Sequence, residues 1–191
     1  MSQVYFWEDD YCSIELLPVE NYEFCVEQAK RITEFAKAHG AGKGYTDVIA
    51  REENPIPLRN KSIPKTSLED VLSGLLTRYE KVLYYSGSSF VEDTCTRSYG
   101  FDDLVIVFFE DRDGIISNIW LNLDTRTEES QTKANDVLFA LSELEDLLIA
   151  DWGWCFISKL SDQTSIKQYL EKRFEVFAAN KVTLSSGEQT T

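Results

Sequence analysis

The stretch IADWGWCF, which begins at residue 149, places a carboxylate, a thiol and two indole rings close together in the chain. Such a set could line an active site, because carboxylates and thiols carry acid, base and nucleophilic chemistry. A strand over residues 149–157 would instead direct its aromatic side chains to one face, Trp152 and Trp154 among them, and anchor a core. We favour this core interpretation, with Asp151 hydrated at the mouth of the strand and Trp152 reaching an edge.

Two other stretches resemble ligand-binding loops but lack residues that those loops need. FEDRDGIIS has the glycine of an EF-hand loop, but Phe109 and Trp120 stand where the loop requires oxygen ligands. HGAGKG, residues 39–44, contains the Gly-Lys pair of a phosphate-binding loop, but Lys37 stands where that loop has its first glycine. We interpret the first stretch as a hairpin turn and the second as a helix cap with a flexible loop, and we expect no metal and no cofactor.

His39 is the one histidine of the chain, so a Ser-His-Asp or Cys-His mechanism would have to use it. It lies where a helix is predicted to end, and the helix dipole alone stabilises an imidazolium there. Pairs of carboxylates can catalyse without histidine, but Glu143, Glu145 and Asp146 fall on the polar side of a predicted helix. The sequence therefore assigns no catalytic residue.

The four cysteines, Cys12, Cys25, Cys95 and Cys155, are widely spaced and form no CxxC pair. We expect them to be reduced and mostly buried, rather than to form a disulfide framework. The chain has no apolar run near the roughly 20 residues that span a bilayer, and its first residues do not resemble a signal peptide. These features predict a cytoplasmic protein.

Apolar periodicity predicts four helices and several short strands. The helices begin near residues 21, 66, 128 and 163; a Thr66–Glu69 capping box opens the second, and the third continues to Leu148. Strands are predicted at VYFW and YCSIELL, joined across Glu8-Asp9-Asp10, at YTDVIA, at KVLYYS, and at LVIVFFE and IISNIWLNL, joined across a turn that ends at Gly114. The LVIVFFE strand is apolar on both faces, so it belongs in the middle of a sheet.

The order of these elements determines the predicted fold class. Strands come as a hairpin, then singly, then as a hairpin again, with helices between them, which favours an α+β fold over a doubly wound sheet. We therefore expect a mainly antiparallel sheet with about four helices packed on it. A chain of 191 residues fits one domain, placed at residues 1–180, with a frayed tail at 181–191.

The charge of the chain limits its partners. The net charge is −14, and residues 98–158 carry most of it, with thirteen Asp and Glu against three basic residues. Nucleic acid and anionic membranes repel such a surface, whereas a basic protein complements it. These acidic residues either combine into one functional face or are dispersed and serve solubility.

Both ends of the chain resemble a known class of proteins. YFWEDDYCSIELLP leading into NYEFC, and LLIADWGWCFISKLSD leading into the last helix, resemble the small acidic immunity proteins of bacterial polymorphic toxin systems. Those systems are of the contact-dependent, Rhs and type VI kinds. The resemblance implies a non-enzymatic cytoplasmic protein that binds one cognate toxin domain, often a basic nuclease, and blocks its active site.

Charge and expected exposure select the residues that would contact the toxin. They are Asp9, Asp10, Asp111, Asp113, Asp151 and Trp152. Two other functions stay open. One is an acidic chaperone or adaptor for a secreted effector, which would hold a helical segment in an apolar groove. The other is a small hydrolase with carboxylates of raised pKa in a deep pocket.

Overall fold

An antiparallel sheet of seven strands runs through the centre of the part of the protein that the computed structural model describes, residues 2–41, 44–45, 47 and 49–185. The strands are β1 (Gln3–Phe6), β2 (Ile14–Pro18), β3 (Gly40–Ala41), β4 (Gly44–Tyr45), β5 (Thr77–Arg78), β6 (Lys81–Ser86), β7 (Ser89–Asp93), β8 (Thr96–Phe101), β9 (Val105–Arg112), β10 (Ile115–Leu123), β11 (Leu147–Asp151) and β12 (Phe156–Lys159). The helices are α1 (Tyr22–His39), α2 (Lys65–Ser73), α3 (Glu128–Leu144) and α4 (Gln163–Ser185).

The seven strands lie in the order β12-β11-β2-β10-β9-β8-β5, and each runs antiparallel to its neighbours. A smaller sheet has β6 at its centre, with β1 parallel to it on one side and β7 antiparallel on the other. The protein therefore has the predicted α+β fold with a mainly antiparallel sheet and four helices among the described residues.

Three helices cover one face of the large sheet. In β9 the odd-numbered residues Val105, Val107 and Phe109 face this side and are fully buried. They pack in one cluster with apolar side chains of α2, α3 and α4, for example Leu72 and Leu138. Burial of this face is the main driving force for the fold, since the gain is roughly 25 cal/mol per Å² of apolar surface.

The opposite face of the large sheet is covered by two different elements. Ile106 and Phe108 of β9 pack with Phe6 and other inward residues of the small sheet. Further along, Cys25 of α1 packs against β2 and β11. Strand β9 is thus buried on both faces and lies between β8 and β10, which confirms its predicted place inside a sheet.

Helix α2 differs from its prediction at both ends. The Thr66–Glu69 capping box does not form, because Pro64 is the N-cap residue and the helix begins at Lys65. The β9–β10 hairpin sets this start: Pro64 bridges Ile115, and the Lys65 N–H donates to the Gly114 carbonyl over 2.9 Å. The helix ends at Ser73, although the apolar spacing of the sequence predicts a helical face that continues to Leu75, Leu76 and Tyr79.

Helix α3 is shorter than predicted because the last residues of the predicted helix form a strand instead. Its start is capped as the sequence allows, with the Thr127 hydroxyl accepting from the Ser130 N–H over 3.0 Å. It ends at Leu144, and the predicted helical residues Leu147 and Leu148 open β11 instead. Pairing with β2 satisfies their backbone groups inside the sheet, so tertiary contacts override the helical pattern.

The predicted hairpin at the start of the chain is wrong. Strand β1 pairs with β6 in the small sheet, whereas β2 pairs with β10 and β11 in the large one. Between them the chain forms a 3-10 helix at Glu8–Asp10 and then turns through Cys12, whose φ is 52°. The second strand therefore begins at Ile14 rather than at Tyr11.

Three further predictions fall partly outside the described residues. Gly40 is the C-cap of α1, as predicted, and Gly40–Ala41 pairs antiparallel with Gly44–Tyr45, so the described residues after the cap are paired as strands. YTDVIA includes residues 46 and 48, which are not described, and of its four described residues Tyr45 alone lies in a strand. Of the tail predicted at 181–191, the part to Ser185 continues α4, and residues 186–191 lie outside the described residues.

Candidate functional site

The small sheet has an apolar inner face and an aromatic outer face. In β1, Val4 and Phe6 point inward and are 2% and 5% exposed, whereas Tyr5 points outward and is 43% exposed. Trp7 follows the strand and is 51% exposed. The period of two along a strand explains this division.

Four outward aromatic residues, Tyr5, Trp7, Tyr85 and Phe90, form what we call the aromatic patch. Trp7 lies 4.5 Å from Tyr85 and 5.3 Å from Phe90, measured between ring centroids. Phe90 in turn lies 4.9 Å from Tyr5 and stands opposite Tyr85 in the β6–β7 pairing. A contiguous exposed aromatic surface of this kind is typical of a site where a protein partner binds.

An acidic turn borders the aromatic patch. The acidic turn is Glu8-Asp9-Asp10, the 3-10 helix directly after Trp7. Asp10 holds it in place, since its carboxylate accepts from the Trp7 N–H over 2.9 Å. Glu8 and Asp9 are exposed. Two of the residues predicted to contact a partner, Asp9 and Asp10, therefore lie beside exposed aromatic rings.

Asp111 and Asp113 lie at the β9–β10 turn, as predicted, and not at the acidic turn. Asp113 and Gly114 have φ values of 58° and 77°, which is the two-residue type I′ turn of a hairpin. The Asp111 side chain points to the helix side of the sheet, where its carboxylate lies 3.3 Å from the Lys65 ammonium. Asp113 is exposed. The structure therefore divides the predicted contact residues between separate surfaces.

Asp151 is not hydrated, which corrects its prediction. It is 1% exposed, and its carboxylate accepts from Arg173 Nη1 and from the Tyr169 hydroxyl, each over 2.6 Å. Arg173 also donates to the Leu123 carbonyl over 2.7 Å. Burial raises the pKa of Tyr169 well above its usual value, so this phenol stays protonated as a donor. Asp151 is part of the core that joins α4 to the sheet.

Trp152 is also buried, and it does not reach an edge of the sheet. Its indole N–H donates to the Glu15 carboxylate over 2.7 Å, and Arg51 donates to the same carboxylate over 2.7 Å. The Arg51 guanidinium lies 4.4 Å from the centroid of the Trp152 ring. Asp151 thus belongs to a buried ionic cluster with Arg173, whereas Trp152 bonds a buried carboxylate that pairs with the exposed Arg51.

The single strand predicted over residues 149–157 is a hairpin. Strand β11 ends at Asp151, a turn follows, and β12 returns from Phe156. The Asp151 carboxylate accepts from the Trp154 N–H over 3.1 Å, and Cys155 has a φ of 50°, which no strand residue adopts. The core interpretation of IADWGWCF holds for residues 149–152, which are buried. Gly153 is exposed and residues 154–156 are half-buried, and Trp152 and Phe156 pack in different clusters rather than on one face.

Burial and hydrogen bonds shift the pKa values of several thiols and carboxylates. All four cysteines are free, and burial raises the pKa of Cys12 and of Cys25 to about 12, so both stay protonated. A carboxylate hydrolase needs an acid of raised pKa, whereas Glu20 and Asp162 have a lowered pKa because of hydrogen bonds to backbone and side-chain donors. Among the described residues, no group of three His, Cys, Asp or Glu side chains is arranged to hold a metal ion.

Comparison with known proteins does not assign this chain to a family. No family model, no curated protein and no solved structure matches it. Within the described residues, none of the helices combines the length and the apolar character that crossing a membrane requires.

Sequence reasoning did not select the aromatic patch. The signal was present, because VYFW alternates inward Val4 and Phe6 with outward Tyr5 and Trp7. A strand with large apolar residues on both faces needs another packed surface against each face, from the same protein or from a binding partner. Contact between Trp7 and the rings of β6 and β7 could not be read from the sequence, because those strands lie far along the chain.

Proposed function

We propose that this protein is a cytoplasmic, non-enzymatic immunity protein that binds and neutralises a cognate basic toxin domain. The observation that carries the proposal is the aromatic patch beside the acidic turn, on a chain with a net charge of −14. The resemblance of both ends of the chain to immunity proteins of polymorphic toxin systems supports the same function.

The two parts of this surface contribute differently to binding. Exposed Trp and Tyr side chains are the usual anchors of an interface, and truncation of such an anchor costs about 2 kcal/mol or more of binding free energy. Carboxylates at the rim mainly raise the association rate with a basic partner and fix its orientation. Trp7 and Phe90 therefore supply affinity, and Asp9 and Asp10 steer the toxin.

The proposed contact set differs from the one chosen from sequence. Asp9 and Asp10 remain, joined by the aromatic patch. Asp151 and Trp152 leave the set because both are buried in the core. Asp113 is exposed at a separate turn and lies outside the proposed surface.

The first test pairs the protein with the product of the adjacent gene. We expect the two to copurify, and we expect cells that express the neighbour to be rescued by this protein. Substituting Trp7→Ala and Phe90→Ala together should weaken binding at least about a hundredfold, as two anchors are lost. Phe139→Ala is the matched control, because Phe139 is an equally exposed aromatic residue on α3, 49% exposed.

The acidic turn is tested by the salt dependence of the association rate. Substituting Asp9→Asn should slow association at low salt and change dissociation little, because Asp9 is exposed and Asp10, which holds the Trp7 N–H, is left unchanged. Asp136→Asn, an exposed carboxylate on α3, serves as control. Tight binding without rescue would instead favour the adaptor for a secreted effector, and absence of both binding and rescue would contradict the proposal.

A further inference from the structure

A cleft of about 430 Å³ opens beside the aromatic patch, between the end of β6 and the acidic turn. Its walls include four aromatic residues and two carboxylates: Phe6, Tyr11, Tyr84, Tyr85, Glu8 and Asp93. Tyr85 belongs both to this cleft and to the aromatic patch. Trp7 of the patch lies in the chain between Phe6 and Glu8, which both line the cleft. A partner seated on the patch would therefore reach the cleft.

The aromatic walls of the cleft are held by the core. Phe6 stacks on Tyr84 at 6.0 Å and meets Trp120 edge-on at 5.8 Å, measured between ring centroids. Tyr11 also contacts Trp120, at 4.8 Å, yet is 42% exposed. Since Trp120 is completely buried, these rings are positioned before any ligand arrives.

The charge of the cleft is wholly negative. None of the described residues that line it is basic. Asp93 is fixed, because its carboxylate accepts from the Cys95 N–H over 2.8 Å and from the Thr96 hydroxyl over 2.6 Å. Among the described residues, none donates a hydrogen bond to the Glu8 carboxylate, so Glu8 is available to a ligand.

Aromatic faces next to an available carboxylate select a cationic group. A cation over an aromatic ring gains about 0.5 to 2 kcal/mol, depending on how far it is desolvated. Arginine fits better than lysine, because its planar guanidinium stacks on an aromatic ring while its N–H groups meet a carboxylate in a bidentate pair.

We propose, building on the toxin-binding function above, that this cleft receives an arginine side chain of the partner protein. The guanidinium lies against the tyrosine rings and donates to Glu8, while the rest of the partner covers the aromatic patch. Insertion of this arginine into the cleft thereby fixes the position of the partner protein on the aromatic patch.

The test uses this protein alone with a short probe, the capped tripeptide Gly-Arg-Gly, followed by two-dimensional amide NMR. We expect the tripeptide to shift the amide signals of Glu8, Tyr85 and Gly87 in a saturable way. The matching tripeptide with citrulline, which has the shape of arginine without its charge, should produce no such shifts. The lysine tripeptide should bind more weakly than the arginine one.

Variants locate the probe in the cleft. Glu8→Gln should weaken binding of the arginine tripeptide about tenfold, which is the cost of one hydrogen bond to a charged group. Glu92→Gln is the control, because this carboxylate lies on the outer face of the small sheet and pairs with Lys81 at 2.8 Å. Binding of the citrulline tripeptide equal to that of arginine, or no effect of Glu8→Gln, would overturn the proposal.

The outcomes separate this inference from the proposed function. Rescue from the toxin together with no binding of the arginine tripeptide would overturn the arginine cleft and leave the immunity function in place. Binding of the tripeptide in the cleft without rescue would overturn the immunity function, while the cleft would stand as an arginine site for another protein.

Discussion

Two aspartates of this protein, Asp9 and Asp151, differ completely in exposure to solvent. Asp9 is exposed beside the aromatic patch, whereas Asp151 is 1% exposed and bonded to Arg173 and Tyr169. A buried charge is tolerated only when it is paired and its remaining lone pairs are satisfied. Asp151 meets that condition through groups of α4, and so its role is structural.

Asp151→Asn tests that role at the scale of one residue. The amide keeps the shape of the side chain but leaves Arg173 buried without a counter-charge, so we expect the free energy of unfolding to fall by about 3–5 kcal/mol. Chemical denaturation at neutral pH measures the loss. Asp136→Asn removes a carboxylate from an exposed site and should cost no more than about 0.5 kcal/mol. A comparable small loss for both variants would contradict the structural role of Asp151.

Helix α4 starts where short-range chemistry directs it. Asp162 caps helix α4, because its carboxylate accepts from the Ser165 N–H over 3.1 Å and from the Ser165 hydroxyl over 2.7 Å. These two bonds lower the pKa of Asp162 below its usual value. The cap therefore stabilises the folded protein in its ionised form.

The stabilisation by this cap depends on pH because the pKa of Asp162 is lowered in the folded protein. Because the pKa of Asp162 is lower in the folded protein, its stabilisation is complete above the unfolded value of about 3.9 and is lost as the pH falls through the folded value. Asp162→Ala should therefore lower the melting temperature at about pH 7, and the difference from wild type should narrow at about pH 3. Calorimetry at both pH values measures it; a difference that stays constant would count against the ionised cap.

Local elements could be predicted from the sequence, and their partners could not. Helix α1 and the β9–β10 hairpin are as predicted, because periodicity and an Asp-Gly turn are signals within a few residues. The β1–β2 hairpin was predicted wrongly because β1 pairs with β6, far along the chain. Asp151 was placed in solvent for the same reason, since the arginine that neutralises it lies 22 residues away.

At the scale of the whole molecule, the net charge and the exposed aromatic surface have opposite effects on self-association. The net charge of −14 keeps copies of the protein apart at neutral pH, whereas the aromatic patch would bring them together. The balance depends on pH, because the charge approaches zero at the pI of about 4.5.

Light scattering can measure this balance without a partner. We expect particle size to grow as the pH is lowered from about 7 towards 4.5, and to grow less in a variant with Trp7→Ser and Phe90→Ser. Phe139→Ser, which removes an exposed ring from α3, should behave like wild type. Equal growth in all three proteins would show that the aromatic patch does not drive the association.

The position of β2 has a consequence for synthesis of the chain. Strand β2 leaves the ribosome long before its two neighbours, β10 and β11, and the Trp152 that bonds Glu15 follows Glu15 by 137 residues. Contacts so distant in sequence form slowly and late. The central sheet therefore cannot close until β11 has been translated, and until then β2 exposes backbone groups and apolar side chains that have no partner.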